Sequence, residues 1–250
     1  MKYLITGDNG LIGKELKKQI NGEVFGYDMN DAVMEKNVDA IIHLGNNCII
    51  RDIIKNPQLA KDNMEINFQV YEHARLNHIP NVIFFSSSRV KHYQSNPYVA
   101  SKRFGEELAK AYYDCYAINS YIIRPECVWA ESDKHNRVMT NWIKSARSNS
   151  DIIVYGNESK ELSPIHVESF VKEFCKLLPY MITGQEKRKV ISISGVSRKV
   201  PAIIDLIKFY NNSESRVFYK TPEITQPQVS THNDIQVDDL EHYLMMGDSE

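Results

Sequence analysis

The 250 residues carry 30 Lys and Arg against 32 Asp and Glu, a formal net charge of −2, with 42% hydrophobic and 25% charged residues. That length buries a full core as one large domain or two small ones, and the near balance of charge excludes the basic footprint of a nucleic-acid binder. The four cysteines, Cys48, Cys115, Cys127 and Cys175, form no C-x-x-C pair and read as buried thiols of a reducing compartment rather than a disulfide frame.

No apolar run approaches the ~20 residues of a membrane span, and no metal-ligand pattern stands out. The chain passes directly into its first strand, so no signal peptide is expected and the expected compartment is the cytoplasm. The first strand, Tyr3-Leu4-Ile5, leads into Thr6-Gly7-Asp8-Asn9-Gly10-Leu11-Ile12-Gly13 and then a helical pattern over Leu16 to Ile20. Strand, glycine-rich turn and helix is the context in which such a motif acquires meaning. Gly7 suits the tight turn, Gly10 a close backbone approach to a pyrophosphate, and Gly13 close packing of the helix on the strand. The helix start then offers N–H groups and the positive end of its dipole to phosphates. Asp28 ends the next apolar run, Val24-Phe25-Gly26-Tyr27. A carboxylate there accepts from both hydroxyls of an adenine ribose and repels a 2′-phosphate. No Lys or Arg lies between Glu23 and Glu35, so NAD is expected over NADP.

The crossover that follows is short. Asn30 to Asn37 has room for at most one short helix before the strand Val38 to Leu44, where a full doubly wound sheet would fit a further strand and helix. His43 falls before the crevice and reads as a strand residue rather than a catalyst. Residues 49–56 read as a loop, and Pro57 to His78 as one long helix with Leu59, Met64, Ile66, Phe68, Val70 and Tyr71 at mixed helical spacings. The continuous apolar run Val82-Ile83-Phe84-Phe85 predicts a central parallel strand that delivers Ser86-Ser87-Ser88 to its carboxyl edge.

Asn96 and Pro97 form an N-cap and first helical residue, and the helix continues through Glu106, Leu108, Ala109 and Tyr112. Tyr98 and Lys102, four apart, share one face. An ammonium beside a phenol favours the phenolate, which then exchanges a proton with a substrate oxygen while hydride moves to or from a nicotinamide. A serine hydroxyl nearby would hold that oxygen.

Together these pieces resemble the extended short-chain dehydrogenase/reductase family, above all its nucleotide-sugar epimerases, dehydratases and reductases. Thr6 to Gly13 matches the family's Thr-Gly-x-x-Gly-x-x-Gly, which implies cofactor contacts from Gly7, Asn9, Gly10, Leu11, Ile12 and Gly13. Asp28 matches its ribose-binding acid, His43-Leu44-Gly45 its His-Leu-Ala strand end, and Asn63, with Asn67 close, its helix asparagine. Tyr98 and Lys102 match its Tyr-x-x-x-Lys, with roles in both catalysis and cofactor binding. Either Ser87 or Ser88 matches its catalytic serine. The segments Ile122 to Trp129, Tyr155-Gly156, Ile165-His166-Val167 and Ile191 to Gly195 resemble later family motifs, and Ile235 to Gly247 its terminal helix.

The resemblance implies a Rossmann-type, doubly wound parallel α/β sheet with a small C-terminal substrate-binding part. The NAD-binding part is expected over 1–125 with a strand near 190–194. The lid is expected over about 126–180 and 215–250, with helices near 136–148 and 200–211. It implies a nucleotide-sugar substrate in polysaccharide synthesis and a homodimer through helices 57–78 and 97–115. Trp129, Trp142 and Arg137 are candidates for sugar-nucleotide contacts, with core packing the stronger expectation for both tryptophans.

Departures are also present. Glu126 stands for the family's substrate asparagine, and Lys160-Glu161-Leu162 holds no counterpart of its diphosphate arginine; Lys160 would serve only as a point charge. Arg89-Val90-Lys91 replaces the Asp-Glu pair that dehydratases need. These departures motivate the alternative of a non-catalytic NAD-binding regulator or scaffold. The acidic tail, with Asp234, Asp238, Asp239, Glu241, Asp248 and Glu250, reads as a short helix plus a solvated end.

Overall fold

A computed structural model describes residues 1–28, 33–91, 95–135, 137–183, 188–221 and 233–246. The elements of the first half are β1 (Lys2–Thr6), α1 (Leu11–Gln19), β2 (Glu23–Tyr27), β3 (Ala40–His43), α2 (Ile50–Lys55) and α3 (Gln58–Leu76). They continue with β4 (Asn81–Phe85), a 3-10 turn (Ser88–Lys91), α4 (Pro97–Tyr116) and β5 (Asn119–Pro125). The second half contains β6 (Val128–Trp129), α5 (Val138–Arg147), β7 (Ile152–Tyr155), β8 (Glu161–Leu162), β9 (Ile165–His166) and α6 (Val167–Thr183). It ends with β10 (Arg188–Gly195), β11 (Arg198–Lys199), α7 (Val200–Tyr210), β12 (Val217–Lys220), β13 (Ile235–Val237) and α8 (Leu240–Met246).

Seven strands make the main sheet in the order β13-β10-β5-β4-β3-β1-β2. The pairings of β1 with β2 and β3, of β4 with β3 and β5, and of β10 with β13 are all parallel. Strands β3 and β4 are buried at every position, as their unbroken apolar runs require of strands covered on both faces. The order reverses between β1 and β3: the chain leaves β1 for β2 on one side and returns to β3 on the other. Among the described residues only β2 lies outside β1 and no helix occurs between β2 and β3, in keeping with a trimmed crossover. Leu4, Ile41, Val70, Tyr71, Val82, Phe84, Ala109 and Ile122 form one core of this half.

The chain divides into two compact units, residues 1–125 with 171–192, and 126–170 with 193–250. Residues 171–180, expected in the lid, therefore fall in the first unit, and residues 193–214 fall in the second. The second unit has its own core of Trp129, Met139, Trp142, Ile143, Ile152, Ile203, Ile207 and Leu244. Three two-stranded pairs accompany it: β6 with β9, β7 with β12, and β8 with β11.

Three sequence expectations need correction. The cysteines are not buried thiols, because Cys48 and Cys115 are exposed and Cys127 and Cys175 are half-buried. Residues 49–56 are not a loop, because Ile50–Lys55 is helical and buries Ile53 against Tyr98 and Val99; at six residues it is too short for its periodicity to stand out. The expected terminal helix is split: Ile235–Val237 extends the sheet by pairing with β10, and among the described residues that follow, Leu240–Met246 is the helical part. Residues 248 and 250 of the acidic tail lie outside the described residues, as do residues 30–32 of the crossover.

Candidate active site

The glycine-rich turn lies at the point where the strand order reverses. Gly7 has φ +70°, a left-handed conformation that costs glycine little. A Cβ on Gly7 would lie 2.8 Å from the Cα of Gly45, so the ends of β1 and β3 approach as only glycines allow. A Cβ on Gly13 would lie 2.5 Å from the Gly7 carbonyl oxygen and 2.7 Å from the Asp8 Cα. Gly13 thus lets α1 pack on the turn itself rather than on the strand. Gly10 is the N-cap of α1 and no side chain caps that end, which leaves backbone N–H groups of the first turn for an anionic ligand. Leu11 and Ile12 begin that helix.

Asp8 plays a part that sequence reading missed. Its buried carboxylate accepts from Lys17 Nζ at 2.6 Å. A Cβ on Gly26 would lie 2.5 Å from Asp8 Oδ2, so Gly26 makes room in β2 for the carboxylate that braces the turn. Asn9 donates to Asp28 Oδ2 at 3.3 Å, which brings the turn and the acid after β2 together. Leu44 and Gly45 directly follow β3, where Gly45 N–H donates to Thr6 Oγ at 3.1 Å.

Helix α4 carries the second group of candidates. Asn96 caps it by accepting from Val99 N–H at 3.0 Å, with Pro97 in the first turn. Tyr98, Ser101, Lys102 and Gly105 lie on its buried side. The absent Cβ of Gly105 brings this face onto β4, since a methyl there would lie 2.3 Å from Phe84 Cζ. Lys102 is 4% exposed. Its ammonium donates to the Phe85 carbonyl oxygen and to Asn46 Oδ1, each at 2.8 Å. Burial lowers its pKa to about 8, against the opposing pull of Cys48 and Glu106. Tyr98 packs with Ile53, Ala60 and Val99.

The three serines after β4 are all buried and have different partners. Ser86 donates to Glu106, which is also held by Arg124 in a two-bond ion pair. The Ser87 hydroxyl accepts from Arg89 N–H at 3.3 Å, and Ser88 opens the 3-10 turn. Asn63 accepts from Asn47 N–H at 2.6 Å and donates to the Asn47 carbonyl at 2.9 Å, clamping the loop after β3 to α3.

In the second unit, the Glu126 carboxylate accepts from Asn233 at 3.0 Å. Counted from Arg124-Pro125, however, the place of the family asparagine in Arg-Pro-x-Asn falls on Cys127, not Glu126. Cys127 has φ +45°, the left-handed region where asparagine is favoured. Arg137 pairs with buried Asp133 at 2.7 Å, and Trp129 and Trp142 are core residues. Opposite Leu162, where the diphosphate arginine is missing, the antiparallel partner is Arg198, and its guanidinium is held by Asp238 at 2.7 Å. Lys160 Nζ donates to the Tyr155 carbonyl at 3.4 Å.

A parallel sheet that reverses order between β1 and β3, with a positive-φ glycine and an uncapped helix start at that point, defines a dinucleotide-binding fold of the Rossmann type. The sequence matches the NAD-dependent epimerase/dehydratase family over residues 3–193, and the chain belongs to that family. A relative, the dTDP-4-dehydro-6-deoxy-D-allose reductase of Streptomyces sp, is 28% identical over 118 residues; the match covers 43% of this chain but only 36% of that protein's length. The putative UDP-glucose 4-epimerase of Methanocaldococcus jannaschii is 23% identical over 238 residues, 88% of this chain and 76% of that protein. Among solved structures, the UDP-N-acetylglucosamine 4-epimerase from Methanobrevibacter ruminantium M1, in complex with UDP-N-acetylmuramic acid, shares the fold with a TM-score of 0.80. It is 18% identical, with 98% of this chain and 96% of that one covered.

Among the described residues no helix is long and apolar enough to cross a membrane, and no group of side chains is arranged to hold a metal ion.

Proposed function

We propose that this chain binds NAD and exchanges hydride and a proton at an alcohol or carbonyl carbon of a nucleotide-activated sugar, in the synthesis of a polysaccharide. The observation that carries the reading is the buried Lys102 ammonium, one helical turn from Tyr98 on the buried face of α4 and anchored at the end of the strand that delivers Ser87 and Ser88. NAD fits the glycine turn because that turn leaves both the space and the unpaired N–H groups a pyrophosphate needs. Bound NAD supplies the hydride acceptor or donor.

Gly7, Asn9, Gly10, Leu11, Ile12 and Gly13 seat the pyrophosphate. Asp28 accepts from the adenine ribose and selects NAD over the 2′-phosphorylated cofactor, Leu44 and Gly45 flank the dinucleotide, and Asn63 holds the loop beneath it. Lys102 binds the nicotinamide ribose and favours the phenolate of Tyr98. Ser87 or Ser88 orients the sugar oxygen. Tyr98 takes the hydroxyl proton as the C–H bond yields its hydride, and returns it in the reverse step. The exposed apolar side chains Phe68 and Leu76 on α3, and Phe104 and Tyr116 on α4, support a homodimer through those two helices.

A thermal-shift screen against NAD and NADP, alone and with UDP-, dTDP-, GDP- and CDP-sugars, tests this reading. A ligand at 100 times its dissociation constant stabilises by about 2.7 kcal/mol. NAD is expected to shift the melt and one nucleotide class to add to it, and Tyr98→Phe is expected to bind NAD but lose turnover by about 100-fold or more. A shift with NAD and none with any sugar nucleotide favours the regulator or scaffold. That second reading draws on Arg198 being committed to Asp238 where the diphosphate arginine is missing.

A further inference from the structure

The buried stripe of α3 is Ala60, Asn63, Asn67, Val70, Tyr71 and Ala74. A buried amide is costly unless its donors and acceptors are met, so the partners of Asn67, which is 0% exposed, carry information. Its Oδ1 receives His43 Nε2 at 2.8 Å and Asn46 Nδ2 at 2.9 Å. Asn46 Oδ1 accepts from Lys102 Nζ at 2.8 Å. On the far side of the imidazole, His43 Nδ1 lies 2.6 Å from Thr6 Oγ, and Thr6 Oγ accepts from Gly45 N–H. A continuous line of hydrogen bonds thus joins the end of β1, beside the glycine turn, to the ammonium on α4.

The polarity of this line is fixed by Lys102, because an ammonium only donates. Asn46 must turn its oxygen to Lys102 and therefore its nitrogen to Asn67. Asn67 must then present its oxygen to both neighbours, so His43 carries its proton on Nε2 and accepts on Nδ1 from the Thr6 hydroxyl. The alternative amide orientations place donor against donor at one joint or another. His43 is neutral in this arrangement, consistent with its full burial.

We propose that Asn46 and Asn67 are positioning residues for Lys102. Asn46 Oδ1 holds the side chain in place as an ammonium, and Asn67, backed by His43 and Thr6, holds Asn46 in the orientation that makes this the only acceptor it presents. The inference rests on the reading of Lys102 as a cofactor-binding group. The charged or titratable groups facing Lys102 are Cys48 from the loop after β3, Glu106 from α4 and the neutral His43 from β3, with Tyr98 one turn away on the same buried face of α4. The Phe84 ring lies 5.3 Å from Nζ. None of these replaces the Asn46 oxygen as a hydrogen-bond acceptor in the observed geometry.

The test is the NAD dissociation constant of the full chain, measured by calorimetry between about pH 6 and pH 10. Wild-type affinity is expected to fall as pH rises through about 8, where Lys102 loses its proton. Asn46→Ala removes an acceptor of the charged form, so the midpoint moves down by about one unit, and binding weakens about twofold at about pH 7 and about tenfold at about pH 9. Asn46→Asp restores an acceptor with charge and moves the midpoint above that of the wild type. Asn67→Ala shifts it in the same direction as Asn46→Ala.

In a Lys102→Met background the profile is flat and Asn46→Ala adds no further loss, a non-additivity that a purely structural role would not produce. Because both Asn46 variants are judged by a midpoint in folded, NAD-binding protein, a failure of Asn67→Ala to fold leaves the test intact. A wild-type midpoint that neither Asn46 variant moves overturns the positioning role alone. A wild-type affinity without pH dependence, matched by Lys102→Met, overturns the reading of Lys102 and this inference with it.

Discussion

Acid should destabilise this protein through His43 in particular. The imidazole is fully buried between Thr6 and Asn67, and desolvation lowers its pKa from 6.5 to about 3. A histidine whose folded pKa is depressed is bound by fewer protons in the native than in the unfolded chain at pH values between the two. Its contribution to stability is therefore complete above the unfolded value and is lost as pH falls below about 6.5 toward 3. Between pH 7 and pH 5 that loss is about 2 kcal/mol, from the 1.36 kcal/mol that each pKa unit represents. Urea unfolding at the two pH values gives the total acid effect, to which carboxylates also contribute. The same pair of measurements on His43→Gln, which keeps an N–H toward Asn67 and cannot titrate, gives the effect without this group. The difference between the two proteins should be about 2 kcal/mol, the wild type losing more. Equal losses would refute the claim that His43 stays neutral in the native chain.

Two further outcomes follow from packing. Gly105→Ala adds a methyl 2.3 Å from Phe84 Cζ and 2.9 Å from Asn67 Nδ2. Overpacking of about 1–3 kcal/mol outweighs the roughly 1 kcal/mol that alanine gains in a helix, so the variant should be less stable in urea; a neutral or stabilised variant would contradict the tight seating of α4 on β4. Phe68→Glu places a charge on the exposed face of α3, where Phe68 is 45% exposed. Light scattering should show a dimer for the wild type and a monomer for the variant, and a monomeric wild type would end the dimer proposal.

The elements that sequence alone revealed are those with local signals. Glycine spacing between an apolar run and a helix marked the dinucleotide turn. Continuous apolar runs marked β3 and β4, and Asn96-Pro97 marked the start of α4. The i,i+4 pair Tyr98 and Lys102 needed nothing beyond helix periodicity to share a face. Elements without such signals escaped or were misread. Ile50–Lys55 was too short to show a period, and Ile235–Val237 is a strand only because β10 offers an edge with which to pair.

The deeper limit concerns polar residues on buried faces. Asn67 sits four residues from Asn63, and Asn46 directly follows the turn after β3; nothing in the local pattern says that Asn67 is fully buried and Asn46 half-buried, or what either bonds. The same holds for Asp8, whose place depends on the missing side chain of Gly26 in a neighbouring strand. Arg198 lies opposite Leu162 only through the pairing of β8 with β11, separated by more than thirty positions. Periodicity and spacing report which residues share a face of one element, because backbone geometry repeats along the chain. Which polar groups meet across elements depends on how faces dock, and that depends on every side chain in the interface at once. The sequence by itself therefore determined the class of fold, the glycine-rich turn and the shared helix face of Tyr98 and Lys102; the tertiary structure alone decided how the Lys102 ammonium is held, and by which of the chain's many asparagines.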